Sequence, residues 1–282
     1  MTATLTIKLG AAGALRQMLD TTMHRLKELA SVRRLREERY ERVFATPAAY
    51  GHCRGVFASF SEALRSAPPS SRLGFDHAEF AGDLGERFAT LLPHDYPVLF
   101  WLQRLIGDGT RLFDLGGYTG GQYHVYRPYL RYPAGFEWTV CEVPAVVEKG
   151  RALAKERGYS QLRFTVRPAD ADGSDVLMSA GALQYIESPT LAQMLAAMKS
   201  PPKHLVLNKL PLQDGAPWVT LQNSGPVYVA HHVFNRAQLL SQLEAIGYRL
   251  VDSWQVPGFS TEIPFRPDRS VPRFTGLYLR AP

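Results

Sequence analysis

The stretch Arg111-Leu-Phe-Asp-Leu-Gly-Gly-Tyr-Thr-Gly-Gly121 constrains the fold of this chain more than any other. Leu112, Phe113 and Leu115 read as a buried strand, with Asp114 as an acid inside it. Gly116, Gly117 and Gly120 then permit backbone geometry that a Cβ would block. The residues after Gly120 can start a helix. A glycine turn feeding a helix N-terminus offers backbone N–H groups to an anion. In an open α/β sheet that turn lies at the carboxyl end of a strand, where ligands bind. The spacing is G-G-x-x-G, which departs from the G-x-G-x-x-G dinucleotide fingerprint, and Asp114 has no place in that fingerprint.

From Arg111 onward strands alternate with helices, which argues a parallel sheet. Strands are expected over 111–115, 137–143, 162–166, 175–180, 204–210, 248–255 and 275–280. Between them fall helices over 121–130, shortened or kinked by Pro128, and over 145–157, 190–198 and 235–246. The stretch through Trp218 and Tyr228 reads as irregular. The first hundred residues lack strand rhythm. Leu15, Met18, Leu19, Leu26 and Leu29 recur at helical steps and predict a helix from Gly13 to about Val43, ended by Pro47. Further helices are expected over 59–66, 75–92 and 97–106. Residues 1–95 therefore form a mostly helical N-terminal region, a lid or dimerisation surface, and residues 96–282 the sheet domain.

Glu142 ends the second strand, twenty-two residues past Gly120. A carboxylate there can accept both ribose hydroxyls of a nucleoside cofactor. Together with the pattern apolar-Asp-apolar-Gly-Gly-x-x-Gly, it resembles the landmarks of class I S-adenosylmethionine (SAM)-dependent methyltransferases. The resemblance narrows to a largely uncharacterised family of bacterial methyltransferases. It is carried by Arg54-Gly-Val-Phe-Ala-Ser-Phe-Ser-Glu-Ala63, Tyr96-Pro-Val-Leu-Phe-Trp-Leu102, Ser179-Ala-Gly-Ala-Leu-Gln-Tyr-Ile186, Leu221-Gln222 and Val227-Tyr228.

That resemblance implies an α/β fold with a Rossmann-like seven-stranded methyltransferase sheet, its last strand antiparallel. It implies SAM as cofactor, held by Asp114, Gly116, Gly117, Gly120 and Glu142. Asp170 follows the third strand and is the candidate for the adenine corner; Asp172 is equally a turn residue beside Gly173. Ser179, Ala180 and Gly181 are small, so a ligand can come close. Gln184 and Tyr185 would border the acceptor pocket. Tyr123, Tyr126, Trp218 and Tyr228 would wall it, or pack in the core.

Methyl transfer to oxygen requires the acceptor to lose a proton, and a histidine titrating near neutral pH suits that task. The candidates are His231 and His232, then His124, with Tyr185 as a further acceptor-side group. The expected function is methyl transfer from SAM to a small molecule at oxygen. Two alternatives stay open: an NAD(P)-dependent oxidoreductase, and a non-catalytic methyltransferase-like binding protein.

Composition excludes other classes. The net charge is +6, and a run of basic residues between Lys27 and Arg42 is interleaved with Glu28, Glu37, Glu38 and Glu41. Alternating signs describe a solvated helix face rather than a nucleic-acid stripe. No apolar run is long enough to span a membrane, and no secretory signal is evident at the N-terminus. Cys53 and Cys141 show neither metal-ligand nor disulfide spacing, and no carboxylate accompanies the His231-His232 pair as a metal site would require. A cytoplasmic enzyme is expected, with its N-terminal helices as the surface through which a homodimer would pair.

Overall fold

The computed structural model describes residues 30–81 and 90–282. Two compact units divide the chain, residues 1–49 and 50–282. In the first, helix α1 (Ala30–Phe44) is followed by a 3-10 turn at Pro47–Ala49. Its exposed face carries the i,i+4 pairs Arg33–Glu37 at 2.9 Å and Arg34–Glu38 at 3.0 Å, the solvated alternation that the charge pattern predicts. The part of this helix expected before Ala30 lies outside the described residues. So do residues 82–89 of the helix expected over 75–92; residues 75–81 form turns and bends instead.

The second unit is built on a seven-stranded sheet. Its strands are β2 (Arg111–Leu115), β3 (Glu137–Cys141), β4 (Leu162–Thr165), β5 (Val176–Ala180), β6 (His204–Leu210), β10 (Arg249–Val256) and β11 (Phe274–Arg280). They lie in the order β10-β11-β6-β5-β2-β3-β4. The pairs β2–β3, β3–β4, β2–β5 and β5–β6 are parallel, and β11 runs antiparallel to both neighbours. The chain starts at the centre with β2, winds outward to β4, then returns past β2 to β5 and β6. This is the doubly wound Rossmann-like arrangement expected, with the last strand reversed. Its switch point falls between β2 and β5, where ligands bind in such sheets.

Alternation along each strand feeds two cores. Leu112 of β2, Trp138 and Val140 of β3, Val176 and Met178 of β5 and Val206 of β6 face one side. There they meet helices α3 (Tyr96–Leu105), α4 (Gly121–Tyr126) and α5 (Pro144–Glu156). Phe113 and Leu115, Leu177, and Leu205 and Leu207 face the other side, against α6 (Leu191–Ala196) and α7 (Arg236–Glu244). Strands buried on both faces carry continuous apolar runs for this reason, as in Leu205-Val-Leu207.

A second sheet departs from the sequence expectation. Strand β1 (Cys53–Phe57) forms inside the stretch expected to be helical, followed by helix α2 (Phe60–Arg65). It pairs antiparallel with β8 (Trp218–Asn223), which pairs with β9 (Tyr228–Asn235), and β7 (Leu212–Gln213) adds to β9 in parallel. The stretch read as irregular is therefore a hairpin, and the first part of the second unit closes its edge. Gly55, at φ +74, sits at the bulge between Arg54 and Phe57, which hid the strand's alternation.

Candidate functional site

The glycine turn leaves β2 at the switch point, with Gly116 at φ +77, Tyr118 at φ +53 and Gly120 at φ +84. Each glycine answers to a neighbour. A Cβ at Gly116 would lie 2.0 Å from the Ala182 Cβ, one at Gly117 2.2 Å from Oδ2 of Asp114, and one at Gly120 2.7 Å from Leu162. The turn is thus a tight cradle between the ends of β2, β4 and β5. Its own backbone is tied down where Gly116 N–H donates to Cys141 O at 2.9 Å.

Asp114 is fully buried. Its Oδ2 accepts the indole N–H of Trp138 at 3.1 Å, while Oδ1 has no partner. Burial pushes its pKa up to about 7, against the Trp138 hydrogen bond and with help from the Glu142 charge. Glu142 stands on the other side of the turn. Its Oε1 accepts the Tyr118 N–H at 3.1 Å and its Oε2 accepts its own strand-end neighbour, Val143 N–H, at 3.0 Å. Burial raises its pKa; the two backbone donors oppose this. Two carboxyl groups therefore flank the turn, whose Gly116, Tyr118 and Gly120 N–H groups already donate within the protein.

The remaining expected cofactor residues border the same edge. Ser179 donates to Leu115 O at 2.9 Å and locks β5 to β2. Ala180 ends β5 and Gly181 follows at φ +85, its N–H donating to Asn208 O. Asp170 sits beyond β4 in a 3-10 turn (Pro168–Ala171), where it accepts from Thr165 and pairs with Arg167 at 2.8 Å. The Thr165 hydrogen bond, then Arg167, lower its pKa.

An arc of aromatic rings runs from the turn along this edge. Tyr118 packs on Phe80, Phe80 on Phe75, Phe75 edge-on to Tyr185, Tyr185 on His231, His231 on Phe274, Phe274 on Phe259, and Phe259 on His94, with centroid separations of 4.5–6.1 Å. The segment around Phe75 and Phe80 is drawn over the turn: Tyr118 OH donates to Phe80 O at 2.8 Å, and Ala145 N–H, at the start of α5, donates to Asp76 at 3.0 Å.

Besides Asp114, buried side-chain atoms without a partner among the described residues belong to Gln122 at the start of α4, Gln184 after β5, His94 before α3, His231 in β9 and Arg269. An unsatisfied buried group costs about 1–3 kcal/mol, so each of these atoms is open to a bond from water or a ligand.

The expected catalytic residues separate in space. His231 is buried inside β9; Thr261 Oγ1 lies 3.2 Å from its Nε2, and burial, then His232, push it down to about 3. His232 points to the opposite face, against Phe60 and Phe234. His124 is exposed on α4, 2.5 Å from Tyr159 OH. Tyr185 donates to Gln222 at 2.6 Å, and burial raises its pKa. Gln184 is adjacent, buried, with Oε1 unpartnered. Tyr123 and Tyr126 lie on the buried face of α4 in the core, where Tyr126 OH donates to Asp95 at 2.8 Å. Trp218 packs with Cys53 and Val233 behind the hairpin. Tyr228 begins β9, where its backbone bonds to Arg72 and Gly74.

Sequence reasoning missed His94 and Lys209. Lys209 lies near the end of β6 at φ +58, half-buried, its Nζ 4.9 Å from the Phe259 ring centre. A lysine in the apolar run Leu205-Val-Leu-Asn-Lys-Leu210 was the available signal. His94 gave none, because its partners lie more than a hundred residues away.

Among the described residues no group of three or more His, Cys, Asp or Glu side chains is placed to hold a metal ion, and no helix is long and apolar enough to cross a membrane. Both cysteines are buried, and Cys53 Sγ lies 3.9 Å from Gly51 O.

No family model matches the chain, and no curated protein matches it in sequence. Among solved structures it is similar to the 1,6-didemethyltoxoflavin-N1-methyltransferase of Burkholderia thailandensis, solved with 1,6-didemethyltoxoflavin and S-adenosylhomocysteine bound. The TM-score is 0.46 at 19% identity, covering 76% of this chain and 94% of that one. It is also similar to the mitomycin 7-O-methyltransferase MmcR (TM-score 0.47, 18% identity, 73% of this chain and 56% of that one). A third likeness is to a SAM-dependent methyltransferase from Aquifex aeolicus (TM-score 0.46, 14% identity, 73% of this chain and 97% of that one).

Proposed function

We infer that this protein is a SAM-dependent methyltransferase acting on a small molecule, at oxygen. The observation that carries the reading is the pair of carboxyl groups astride the glycine turn: Asp114 with Oδ1 unpartnered on one side, Glu142 on the other. A cofactor with an amino-acid end and a ribose fits that pair. Asp114 would face the cationic amino group, the turn's N–H groups the carboxylate, and Glu142 the ribose hydroxyls. At Gly116 a Cβ would strike Ala182, so the backbone there runs without a side chain beside the pair. Bound there, SAM supplies an activated methyl group on a sulfonium.

The chain's own contribution is then to orient the acceptor and to exclude water. Tyr185, Gln184 and His231, at the end of β5 and on β9, are placed in this reading on the acceptor side; the ring arc supports a flat acceptor. His232, His124, Tyr123, Tyr126, Trp218 and Tyr228 keep a role only if an acceptor is found to reach them. Asp170 is assigned the adenine corner. The N-terminal region of residues 1–95 is assigned the part of a lid, a reading supported by Phe80 on Tyr118 and Asp76 on Ala145, with dimerisation as its other role. The spacing of Cys53 and Cys141, which suggests no disulfide framework, supports a reducing compartment, the cytoplasm.

Calorimetric titration with SAM, S-adenosylhomocysteine (SAH) and NAD tests the reading. Binding of SAM and SAH without NAD is expected. NAD binding alone would favour the oxidoreductase, and SAM binding without turnover across an acceptor library would favour a binding protein.

A further inference from the structure

We propose that His94 and Lys209 form the acceptor subsite, Lys209 holding an acidic oxygen as its anion and His94 receiving the proton. The acceptor class is a flat molecule carrying a phenol or a carboxylic acid. This subsite rests on the methyltransferase reading and deepens it.

The geometry is a continuous path from the cofactor turn. Ala182 faces Gly116, and Gly181 beside it lies along the Lys209 stem, since a Cβ there would be 3.3 Å from Lys209 Cδ. Phe259 links Lys209 to His94: the ammonium stands 4.9 Å from its ring centre and the imidazole meets it edge-on at 5.0 Å. His94 is fixed to β6 through its carbonyl, which accepts from Asn208 Nδ2 at 3.2 Å, while Asn208 Oδ1 accepts the Trp254 indole N–H at 3.1 Å. Only 2% of His94 is exposed; the Pro257 carbonyl is the one acceptor that engages its ring, at a geometry short of a full hydrogen bond, so among the described residues at least one ring nitrogen has no partner. Lys209 forms no ion pair among the described residues. A non-glycine residue held at φ +58 is the kind of strain that gathers at working sites.

The charges agree with these roles. Burial, then the Lys209 ammonium, lower the His94 pKa, opposed by Asp95 and the Pro257 carbonyl. His94 is therefore held in its neutral form, and an anion seated on Lys209 would offset the ammonium's share of that lowering. Burial lowers Lys209, and Asp95 opposes it. Asp95 itself is occupied by Leu92 N–H and Tyr126 OH, so it is not the missing partner of either. In the step, a phenol's O–H proton passes to a ring nitrogen of His94, whereas a carboxylic acid arrives already ionised and passes none. The oxygen's electron pair forms the bond to the methyl carbon, and the electrons of the broken carbon–sulfur bond remain on sulfur.

The test uses the full-length chain loaded with SAH, and three probes: 4-nitrophenol, which colours only as its anion, benzoate, and aniline as a neutral amine. At about pH 6 binding should raise the coloured fraction of 4-nitrophenol roughly fivefold or more, the effect of an adjacent cation. Aniline should bind at least about tenfold more weakly than the better of the other two. Lys209→Met should abolish the colour change and benzoate binding, and Lys209→Gln repeats the test if Met fails to fold. His94→Gln should keep the colour but release the phenol's proton to buffer, as read by calorimetry in buffers of different ionisation enthalpy. SAH affinity should be unchanged in every variant. Benzoate binding alone identifies a carboxylate acceptor, 4-nitrophenol alone a phenol. Failure of both probes on SAH-loaded protein, undiminished colour in the Lys209 variants, or an unchanged proton balance in His94→Gln overturns the proposal. Failure of SAH itself to bind overturns the methyltransferase reading instead.

Discussion

The indole of Trp138 donates to one oxygen of Asp114 at 3.1 Å and leaves the other oxygen with no partner. The carboxyl is thus held in place from one side and kept available on the other. Because burial lifts it from 3.8 to about 7, charging it costs on the order of 4 kcal/mol in the ligand-free protein. A cationic amino group returns part of that cost. SAM affinity should therefore rise with pH between about 6 and 8, with proton release on binding. Asp114→Asn should weaken SAM by about 1.5–3 kcal/mol and flatten the pH dependence. Calorimetry across pH checks both, and an equally steep profile in Asp114→Asn would remove Asp114 from the amino-group site.

Gly117 and Asp114 share one space. A Cβ at Gly117 would sit 2.2 Å from the carboxylate, although the Gly117 backbone itself is not in the left-handed region. Gly117→Ala should cost about 1–3 kcal/mol by overpacking, and much less when Asp114 is already Ala. Denaturant melts of the two single variants and the double one should show a coupling of about 0.5–3 kcal/mol. Additive effects would mean that the clash is with something else.

Glu142 serves two backbone donors now and, in the proposed reading, a ribose. Glu142→Ala should weaken SAM by roughly 1–3 kcal/mol. Glu142→Gln should lose less, since its amide oxygen can still accept from Tyr118 N–H. SAM titrations on both, with far-UV circular dichroism to show folding, decide this. Wild-type affinity in both would release Glu142 from the ribose.

Much of the sheet was legible because its strands are buried on both faces. Runs such as Leu205-Val-Leu-Asn-Lys-Leu210 have no other stable home, and the observed strand bounds lie within two residues of those expected. The glycine turn was legible because three close approaches exclude side chains there. The hairpin of β8 and β9 was not, since its strands mix polar and apolar residues and pair with β1, far away in sequence. His231 read as a loop residue before a helix; it is a strand residue instead. The meeting of His94 with Lys209 depends on the turn before α3 being tied to β6 through Asn208, a contact without local signal.

That long-range closure bears on truncation. A chain beginning at Tyr96 loses β1, leaving β8 as an open edge, and loses Phe80 and Asp76 from the turn. An exposed edge strand invites association. Such a chain should aggregate or fail to bind SAM, whereas one beginning at Tyr50 keeps all these contacts. Size-exclusion chromatography and calorimetry on the two compare them directly; a monodisperse, SAM-binding product from Tyr96 would make residues 50–95 dispensable.

The last expectation concerns acid. His231 is buried and neutral, with Nε2 near Thr261 Oγ1 and Nδ1 unpartnered. Its pKa falls from 6.5 to about 3, chiefly by burial. The unfolded chain therefore binds a proton that the folded one refuses between those values. Stability from this group is complete above about pH 6.5 and is lost as the pH falls toward 3. By about pH 5 the loss should reach about 2 kcal/mol. Asp114 works in the opposite direction, since its raised pKa favours the folded state in acid, so wild type alone shows only the difference. His231→Gln should flatten the acid limb relative to wild type, while Asp114→Asn should steepen it. Urea denaturation from about pH 5 to 8 on the three proteins separates the terms. An acid limb identical in wild type and His231→Gln would show that the imidazole is protonated in the fold, and would restore it as a titrating group for the chemistry at the acceptor.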